Sequence, residues 1–364
     1  MRYVYTYFIP ENIAPKGATR IVVKNGENEV CSIPASRFGG LTPPNGEPLY
    51  SIGLVSDCHT FKTATINDMN YQSNVKLRNA LSYFSEEVSV SQRRCVAVVG
   101  CGDFCQTGFY LDSATDYNES QMLNYQEIIS ECKIPVFELY GNHENYHNME
   151  ITNNLERAKE LVGIPHTAYT ISSAPDSDEV VGTTVRPNRY APVGDDLYIL
   201  CGQSTSGQPM SADDFEWLKS TLESNKNRRC FIAVHSYMEG DSGDPLDVRT
   251  NSIFSGWSKT AEFKALLNQY PKAMLTHGHS HTTLECQTVD LRANYTEVNG
   301  FKSLHVPSCG NPLTVTGSNP DGTPYSQCYV MDVYPDCIVM NGLSYVDGKW
   351  VPVAVGTYRI EVTS

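Results

Sequence analysis

The chain has 364 residues and a mass of 40.4 kDa, more than one average domain needs but compatible with one large catalytic unit and a small appendage. Its 40% hydrophobic and 19% charged residues exclude a disordered polymer and a coiled coil and predict a globular protein. A formal net charge of −14 provides no basic surface for extended nucleic acid or anionic lipid, so neither is an expected partner.

The sequence contains no apolar run near the roughly 18 residues that span a bilayer, and residues 1–5 do not resemble an export signal. We therefore expect a cytoplasmic protein without membrane association. The twelve cysteines are irregularly spaced, and most are expected to be reduced thiols in the core. A disulfide framework would require an oxidising compartment that the chain reaches by an unrecognised route.

Residues 1–48 are predicted to form a small β-rich accessory module, and its protein partner is not indicated by the sequence. A turn-rich stretch at 39–46 contains Gly-Gly, Pro-Pro and Asn-Gly pairs and marks the boundary. The second domain is predicted to span 49–364 and to include C-terminal strands within 325–364. Within residues 1–48, short extended segments without a helical period predict three strands, at 3–9, 18–23 and 29–33.

From residue 50 the chain alternates short apolar runs with segments of helical period, and this repeated β-α-β order predicts an α/β fold. Ser211 and Asp214 predict a capping box at one helix start. The predicted strands are 51–56, 95–99, 135–140, 197–201, 230–234, 273–276, 329–333, 337–340 and 357–362. The predicted helices are 75–88, 119–132, 152–162, 211–224 and 261–270.

Polar side chains directly follow five of the predicted strands. Ligands bind α/β sheets at the carboxyl ends of strands, so side chains that leave five strands can converge. An Asp-x-His sequence in an extended segment places both side chains on one side, where they can chelate one ion, and Gly-His-x-His repeats this with two imidazoles. The candidate metal ligands are Asp57, His59, Asp103, Asn142, His235, His279 and His281.

Oxygen and imidazole ligands without thiolates suit borderline divalent ions such as Mn, Fe, Zn or Co. Seven ligands are too many for one ion that keeps a position open, so two ions that share a bridging carboxylate are expected. Two divalent ions, the carboxylates of Asp57 and Asp103 and a bridging hydroxide leave a local charge of about +1. Such a pocket attracts a phosphate ester.

The motifs occur in the order Asp57-Cys58-His59, Gly102-Asp103, Gly141-Asn142-His143-Glu144, His235 and Gly278-His279-Ser280-His281. This ordered set resembles that of the calcineurin-like metallophosphoesterase superfamily, D-x-H, G-D, G-N-H-[DE], H and G-H-x-H, and covers about residues 51–282. The resemblance implies a four-layer αββα sandwich, of the α/β (α+β) class, in which helices flank two mixed β-sheets. The small N-terminal β appendage would be attached to it.

The resemblance also implies a dinuclear centre with two divalent or mixed-valence ions of Mn, Fe or Zn. A metal-bridging hydroxide would attack phosphorus, and His143 would protonate the leaving oxygen or stabilise the transition-state charge. The implied ligands of one ion are Asp57, His59, Asp103 and His281, and those of the other are Asp103, Asn142, His235 and His279.

Departures from individual branches of the family bear on the substrate. Phe104 stands where protein Ser/Thr phosphatases of this fold carry an arginine, and Gln106 stands where purple acid phosphatases carry a tyrosine ligand. The third motif continues with Asn145, unlike that of the 5'-nucleotidases. We therefore expect a phosphodiesterase for a small substrate. The alternatives are a phosphomonoesterase, a nuclease, which the scarcity of basic patches disfavours, and a non-catalytic metal-binding scaffold.

Residues beside the motifs receive supporting roles. His277 is expected to be a core or supporting imidazole, Glu144 a supporting carboxylate rather than a base, and Cys58 a side chain that points away from the site. Tyr146 and His147 could contact substrate or belong to an ordinary surface loop, and both interpretations stay open.

Overall fold

The structure is a computed structural model. The predicted strand at 3–9, the predicted helix at 152–162, Tyr146 and His147 lie outside the described residues. The structure describes residues 20–25, 28–34, 47–61, 71–86, 95–106, 114–145, 189–203, 208–241, 253–286, 294–297, 299–313 and 325–362.

Two of the three predicted N-terminal strands are present and pair with each other. Strand β1 (Arg20–Asn25) runs antiparallel to β2 (Asn28–Pro34) and forms a two-stranded sheet. The division of the chain at residue 48 stays a prediction.

The remaining elements alternate in the predicted manner. The further strands are β3 (Tyr50–Val55), β4 (Ala97–Gly100), β5 (Val136–Phe137), β6 (Arg189–Val193), β7 (Asp196–Leu200), β8 (Cys230–Ala233), β9 (Ala273–His277), β10 (Tyr295–Thr296), β11 (Lys302–His305), β12 (Ser326–Val333), β13 (Cys337–Val346) and β14 (Lys349–Glu361). The described α-helices are α1 (Tyr71–Ser85), α2 (Ala114–Ser130), α3 (Ala212–Ser224) and α4 (Thr260–Leu267).

Twelve of these strands form two six-stranded sheets. Sheet I has the order β14-β13-β12-β3-β4-β5, and sheet II has the order β10-β11-β9-β8-β7-β6. In sheet I, β3, β4 and β5 are parallel and the other neighbours pair antiparallel. In sheet II, β7, β8, β9 and β11 are parallel, with an antiparallel strand at each edge. Both sheets are therefore mixed, as expected.

The inner faces of the two sheets share one apolar core. Leu54 and Val99 of sheet I belong to the same buried cluster as Leu200 and Phe231 of sheet II. Since β3, β4, β7 and β8 lie within their sheets and are buried on both faces, they are mainly apolar along their whole length rather than alternating.

Helices cover both outer faces. Phe84 of α1 and Tyr125 of α2 pack in one cluster with the outer side of sheet I. Phe215 of α3 and Phe263 of α4 do the same on sheet II. The chain therefore has the four-layer αββα architecture.

The sequence predicted the start of α3 correctly but placed the start of α1 too late. The capping box at α3 is present, because Ser211 Oγ accepts a bond from Asp214 N (3.1 Å) and the Asp214 carboxylate accepts one from Ser211 N (3.0 Å). Helix α1 begins at Tyr71, four residues before the predicted start at 75. Its first turn contains the polar residues Ser73 and Asn74, which are buried against a loop instead of facing water.

Among the described residues, none of the α-helices is long and apolar enough to cross a membrane. Of the twelve cysteines, the ten whose side chains the structure describes are all free thiols, and nine of these are buried. This agrees with the expectation of reduced core thiols.

Candidate metal centre

The carboxyl ends of β3, β4 and β5 in sheet I face those of β8 and β9 in sheet II. The seven predicted ligands follow these five strands and come together at this one end of the sandwich. The two groups below are defined by ligand atoms that all lie within 4.8 Å of one another.

The first group joins residues that are up to 224 positions apart in the chain: Asp57, His59, Asp103 and His281. His281 Nε2 lies 3.0 Å from His59 Nε2 and 3.1 Å from Asp57 Oδ1. His59 Nε2 lies 4.0 Å from the same carboxylate oxygen. These atoms therefore surround one small volume.

The second group contains Asp103, His235 and His279, and Asn142 lies beside it. His235 Nε2 is 3.2 Å from Asp103 Oδ2, 3.1 Å from His279 Nδ1 and 2.9 Å from Asn142 Oδ1. Asp103 belongs to both groups. Its Oδ1 accepts a bond from the backbone N–H of His143 (2.8 Å), which leaves Oδ2 directed toward the ring nitrogens.

The backbone at these positions differs from the predicted extended geometry. Five of the seven residues have positive φ, a region that non-glycine residues seldom adopt and that is often found at functional sites. The Asp-x-His and His-x-His pairs thus converge through left-handed turns after the strands end, and not through alternation along a strand. The φ angles are 48° at Asp57, 46° at His59, 53° at Asp103, 71° at His279 and 59° at His281.

In two of the imidazole rings, those of His235 and His281, a backbone carbonyl determines which ring nitrogen carries the hydrogen. His281 Nδ1 donates to Asn311 O (3.0 Å), and His235 Nδ1 donates to Cys101 O (2.8 Å), because a carbonyl oxygen only accepts. In the neutral ring, Nε2 then directs a bare lone pair toward the carboxylates.

Acceptor atoms that face one another at about 3 Å repel unless a cation or proton lies between them. An ion held at roughly 2.0–2.2 Å from each donor, at near right angles, requires donor separations of about 3 Å. The separations from His281 Nε2 and His235 Nε2 match this value. The residues of both groups therefore fit metal ions.

Two glycines allow this close approach. A Cβ at Gly141 would lie 2.1 Å from Asp103 Oδ1, and a Cβ at Gly278 would lie 1.8 Å from Ser56 Oγ. Any side chain at either position would displace a carboxylate of the site or its hydrogen-bond partner.

The electrostatics of the metal-free site keep its carboxylates ionised. Burial opposes the charge, but His235 and His143 hold the pKa of Asp103 well below its usual range, and His281 does the same for Asp57. Burial also opposes charge on His235, yet Asp103 and Asp57 raise its pKa to about 10. The site thus attracts positive charge.

Three further imidazoles of the site are kept neutral, those of His59, His143 and His279. Burial, followed by the neighbouring His235, lowers the pKa of His279 to about 4. Burial is also the main cause that lowers the pKa of His59 and of His143. Neutral rings are the form that can donate a lone pair to a metal.

Glu144 is not in either group of ligand atoms, and its carboxylate binds the backbone of the loops that carry them. Its carboxylate accepts bonds from the backbone N–H groups of Gly141 (2.7 Å), Asp103 (3.1 Å) and Cys105 (3.0 Å). Burial and then the charge of Asp103 raise its pKa to about 8. It supports the backbone on both sides of Asp103, the aspartate that belongs to both groups.

His143 borders the first group without joining it. Its ring meets that of His59 edge to face, with centroids 4.6 Å apart, and its Nε2 lies 3.8 Å from Asp103 Oδ2. The side chain is 13% exposed, which leaves it accessible to a bound molecule.

Cys58 and His277, weighed from the sequence, and the further buried imidazole of His305 lie apart from the two groups. Cys58 is packed in the core between sheet I and its helices. His277 is fully buried, with Nε2 3.9 Å from Asp241 Oδ2, and His305 Nε2 lies 3.0 Å from the Thr282 carbonyl oxygen. None of these three is in either group.

Sequence reasoning missed the residues that orient the ligands. Ser56 donates to Asp57 Oδ2 (2.6 Å), and its position immediately before the Asp-x-His motif is a usable signal. Ser308 donates to the backbone oxygen of Asp57 (2.8 Å), and Asn311 accepts from His281. The last two have no local signal, because they are distant from the motifs in sequence.

The sequence matches the family model described as calcineurin-like phosphoesterase over residues 50–283. The match covers more than half of the chain, and the fold and the two groups of Asp and His side chains agree with it. The chain therefore belongs to the calcineurin-like phosphoesterase family. No curated protein matches it.

Several solved structures are similar to this chain at low sequence identity. The purple acid phosphatase PPD1 of yellow lupin (Lupinus luteus) is 11% identical with a TM-score of 0.55, and the match covers 92% of this chain and 57% of that one. A 5'-nucleotidase from Candida albicans is 14% identical with a TM-score of 0.44, covering 80% and 49%. Zinc-complexed Vps29 from Entamoeba histolytica is 10% identical with a TM-score of 0.32, covering 86% and 99%.

This chain thus spans little more than half the length of the lupin protein. At 11% identity, the likeness to the lupin protein establishes the fold alone.

Proposed function

We propose that the protein is a dinuclear metal-dependent phosphoesterase that hydrolyses a small phosphodiester. The observation that carries the proposal is the shared carboxylate of Asp103, which belongs to two groups of ligand atoms at one end of the sandwich. A shared carboxylate is the feature that distinguishes a two-ion site from a single one.

The proposed ligands divide between two ions of Mn, Fe or Zn. Asp57, His59 and His281 hold one ion, and Asn142, His235 and His279 hold the other, with Asp103 common to both. Bound there, the ions supply Lewis acidity toward the phosphate oxygens and a means of activating water at neutral pH.

The proposed role of His143 is to handle the leaving oxygen. Its partly exposed ring borders the first group, and its backbone N–H holds Asp103 Oδ1, so its position relative to the bridging carboxylate is fixed. From there the neutral imidazole donates a hydrogen bond that stabilises the charge of the departing oxygen. Once protonated beside the anionic substrate, it transfers that proton to the oxygen.

Charge favours a diester over a monoester. The loaded site carries a charge of about +1, which matches the single negative charge of a phosphodiester. A monoester carries a second negative charge that a further cation would have to balance. Phe104 and Gln106, which follow the second motif, are uncharged and do not provide one.

The test compares initial rates on bis-p-nitrophenyl phosphate and p-nitrophenyl phosphate, with added Mn²⁺, with a chelator, and with Asp103→Asn. We expect cleavage that requires metal, favours the diester and is lost in the variant. Preference for the monoester would make the protein a phosphomonoesterase. Two bound ions without cleavage of either compound would indicate a metal-binding scaffold, and absence of bound metal would contradict the whole proposal.

A further inference from the structure

The two carboxylate oxygens of Asp57 have different neighbours. Oδ2 accepts a bond from Ser56 Oγ (2.6 Å) and another from the backbone N–H of His279 (2.9 Å). Oδ1 accepts no hydrogen bond from any described residue and lies 3.1 Å from His281 Nε2. Of the two oxygens, only Oδ1 is directed toward the ligand atoms of the other residues in the first group.

The Ser56 hydroxyl has one hydrogen and two acceptors within reach. The carboxylate oxygen at 2.6 Å is much closer than the Cys101 carbonyl oxygen at 3.4 Å, and a bond to an ionised acceptor is the stronger one. Ser56 is fully buried, so water does not compete for this bond. The missing side chain at Gly278 leaves the space in which the hydroxyl and the carboxylate meet.

We propose that Ser56 is a positioning residue that makes Asp57 a one-oxygen ligand of the first ion, an inference that rests on the proposed two-ion function. With two donors on Oδ2, the carboxylate is prevented from rotating about its Cβ–Cγ bond. It presents Oδ1 alone and leaves a coordination position of that ion open for substrate.

The same arrangement connects the two groups. The backbone N–H that holds Asp57 Oδ2 belongs to His279, whose ring is in the second group. Without the Ser56 hydroxyl, that N–H alone holds the carboxylate. The first ion then loses a correctly oriented ligand, whereas the ring of His279 keeps its place.

The test is Ser56→Ala, with Ser51→Ala as the matched control. Ser51 lies on β3, the strand that Ser56 directly follows. It is likewise buried and also donates to a carboxylate, Asp332 Oδ1 (2.5 Å), but far from the metal groups. Metal-free protein is titrated with Mn²⁺ by calorimetry, and the Mn²⁺ spin-resonance spectrum is recorded. Ser56→Cys, which has a similar volume and a weaker donor, serves as a second variant if the alanine protein does not fold.

For Ser56→Ala we expect the affinity of one of the two ions to fall about 10- to 100-fold, the usual effect of losing a ligand's supporting partner. The other ion should bind within about threefold of the unsubstituted protein, and Ser56→Cys should show a smaller loss at the same ion. Ser51→Ala should leave both affinities and the spectrum unchanged, although its unfolding temperature falls by a comparable amount.

Equal weakening of both ions, or affinities like those of Ser51→Ala, would overturn the role of Ser56 while leaving the proposed function intact. Failure of the unsubstituted protein to bind two ions would instead contradict the proposed function, and this inference with it.

Discussion

Asp103 is the residue on which the candidate site depends most. It belongs to both groups, and its Oδ2 is 3.2 Å from His235 Nε2 in the second. Its Oδ1 is held by the backbone of His143, and its own N–H donates to Glu144. One side chain therefore joins the metal groups to the loop that carries the proposed proton donor.

Asp103→Asn is predicted to weaken both ions, because the amide keeps the shape of the side chain but removes the charge that the ions share. The loss should exceed the roughly 10- to 100-fold effect of removing an outer contact. Metal content after dialysis, measured by elemental analysis, checks the prediction. Asp332→Asn, which alters a buried carboxylate away from the site, is the control, and two tightly bound ions in Asp103→Asn would contradict the bridging role.

His143→Ala is predicted to keep both ions and to lose turnover by about 10²- to 10⁴-fold. The loss should be larger for a diester with an alkyl leaving group than for one with p-nitrophenol, since the poorer leaving group needs the proton more. Paired rate and metal measurements on both substrates test this. A parallel loss of metal would make His143 a ligand or a structural residue.

At the scale of elements, the first turns of α1 hold two loops of the site. Ser73 Oγ donates to the carbonyl of His59 (2.7 Å), and Lys76 Nζ donates to the carbonyl of Gly310 (2.8 Å). Asn74 bonds both backbone groups of Phe61, accepting from its N–H (2.8 Å) and donating to its oxygen (2.7 Å). These bonds fix the backbone next to a ligand of the first group.

Asn74→Ala is predicted to reduce the free energy of unfolding by about 1–3 kcal/mol for each buried backbone group left unpaired. It should also weaken the first ion about tenfold and the second much less, since the Phe61 backbone adjoins only the first group. Chemical denaturation of the metal-free protein and Mn²⁺ titration measure the two effects.

Asn124→Ala is the control for this helix. Its side chain contacts Asn74 at 3.3 and 3.4 Å but does not contact the Phe61 backbone. It should lower stability slightly and leave both ions unchanged. Equal effects of the two substitutions on metal binding would show that α1 acts only through general stability.

At the scale of the whole molecule, the two sheets are joined at the opposite end from the site by a buried ion pair. Arg229, just before β8, contacts Asp196 through Nε (2.9 Å) and Nη2 (2.5 Å), and donates to the Tyr334 carbonyl (2.7 Å). Tyr50 of sheet I donates to the same carboxylate of sheet II. Since β3 and β8 begin at this cluster and end at the ligands, it fixes the starting points of both strands.

Asp196→Asn is predicted to lower the free energy of unfolding by about 3 kcal/mol, because it leaves a buried arginine without its counter-charge. Metal affinity should not change, since β3 separates the cluster from the site by about 17 Å. Asp195→Asn, at the exposed neighbouring position, is the control. A stability equal to that of the control would refute the role of the ion pair.

Several features of the fold were predictable because their causes are local. The alternation of apolar runs and helical periods gave the order of strands and helices, and Ser211 with Asp214 marked the start of α3. The short strands β6, β10 and β11 were missed, since their pairing partners, and not their own composition, make them strands. The predicted strand at 135–140 is reduced to Val136–Phe137, because β5 is an edge strand paired with β4 alone.

The sequence by itself determined the candidate ligands and their order. Five polar motifs directly follow apolar segments, and Asp, Asn and His carry the oxygen and nitrogen atoms that bind borderline divalent ions. The sequence also determined the resemblance that the family match confirms. Only the tertiary structure decided how these motifs meet. His59 and His281 are 222 residues apart and touch because strands of two sheets end together, and their left-handed backbone is imposed by that packing. The bonds that orient Asp57 and His281 come likewise from residues near in space, a relation that no local pattern encodes.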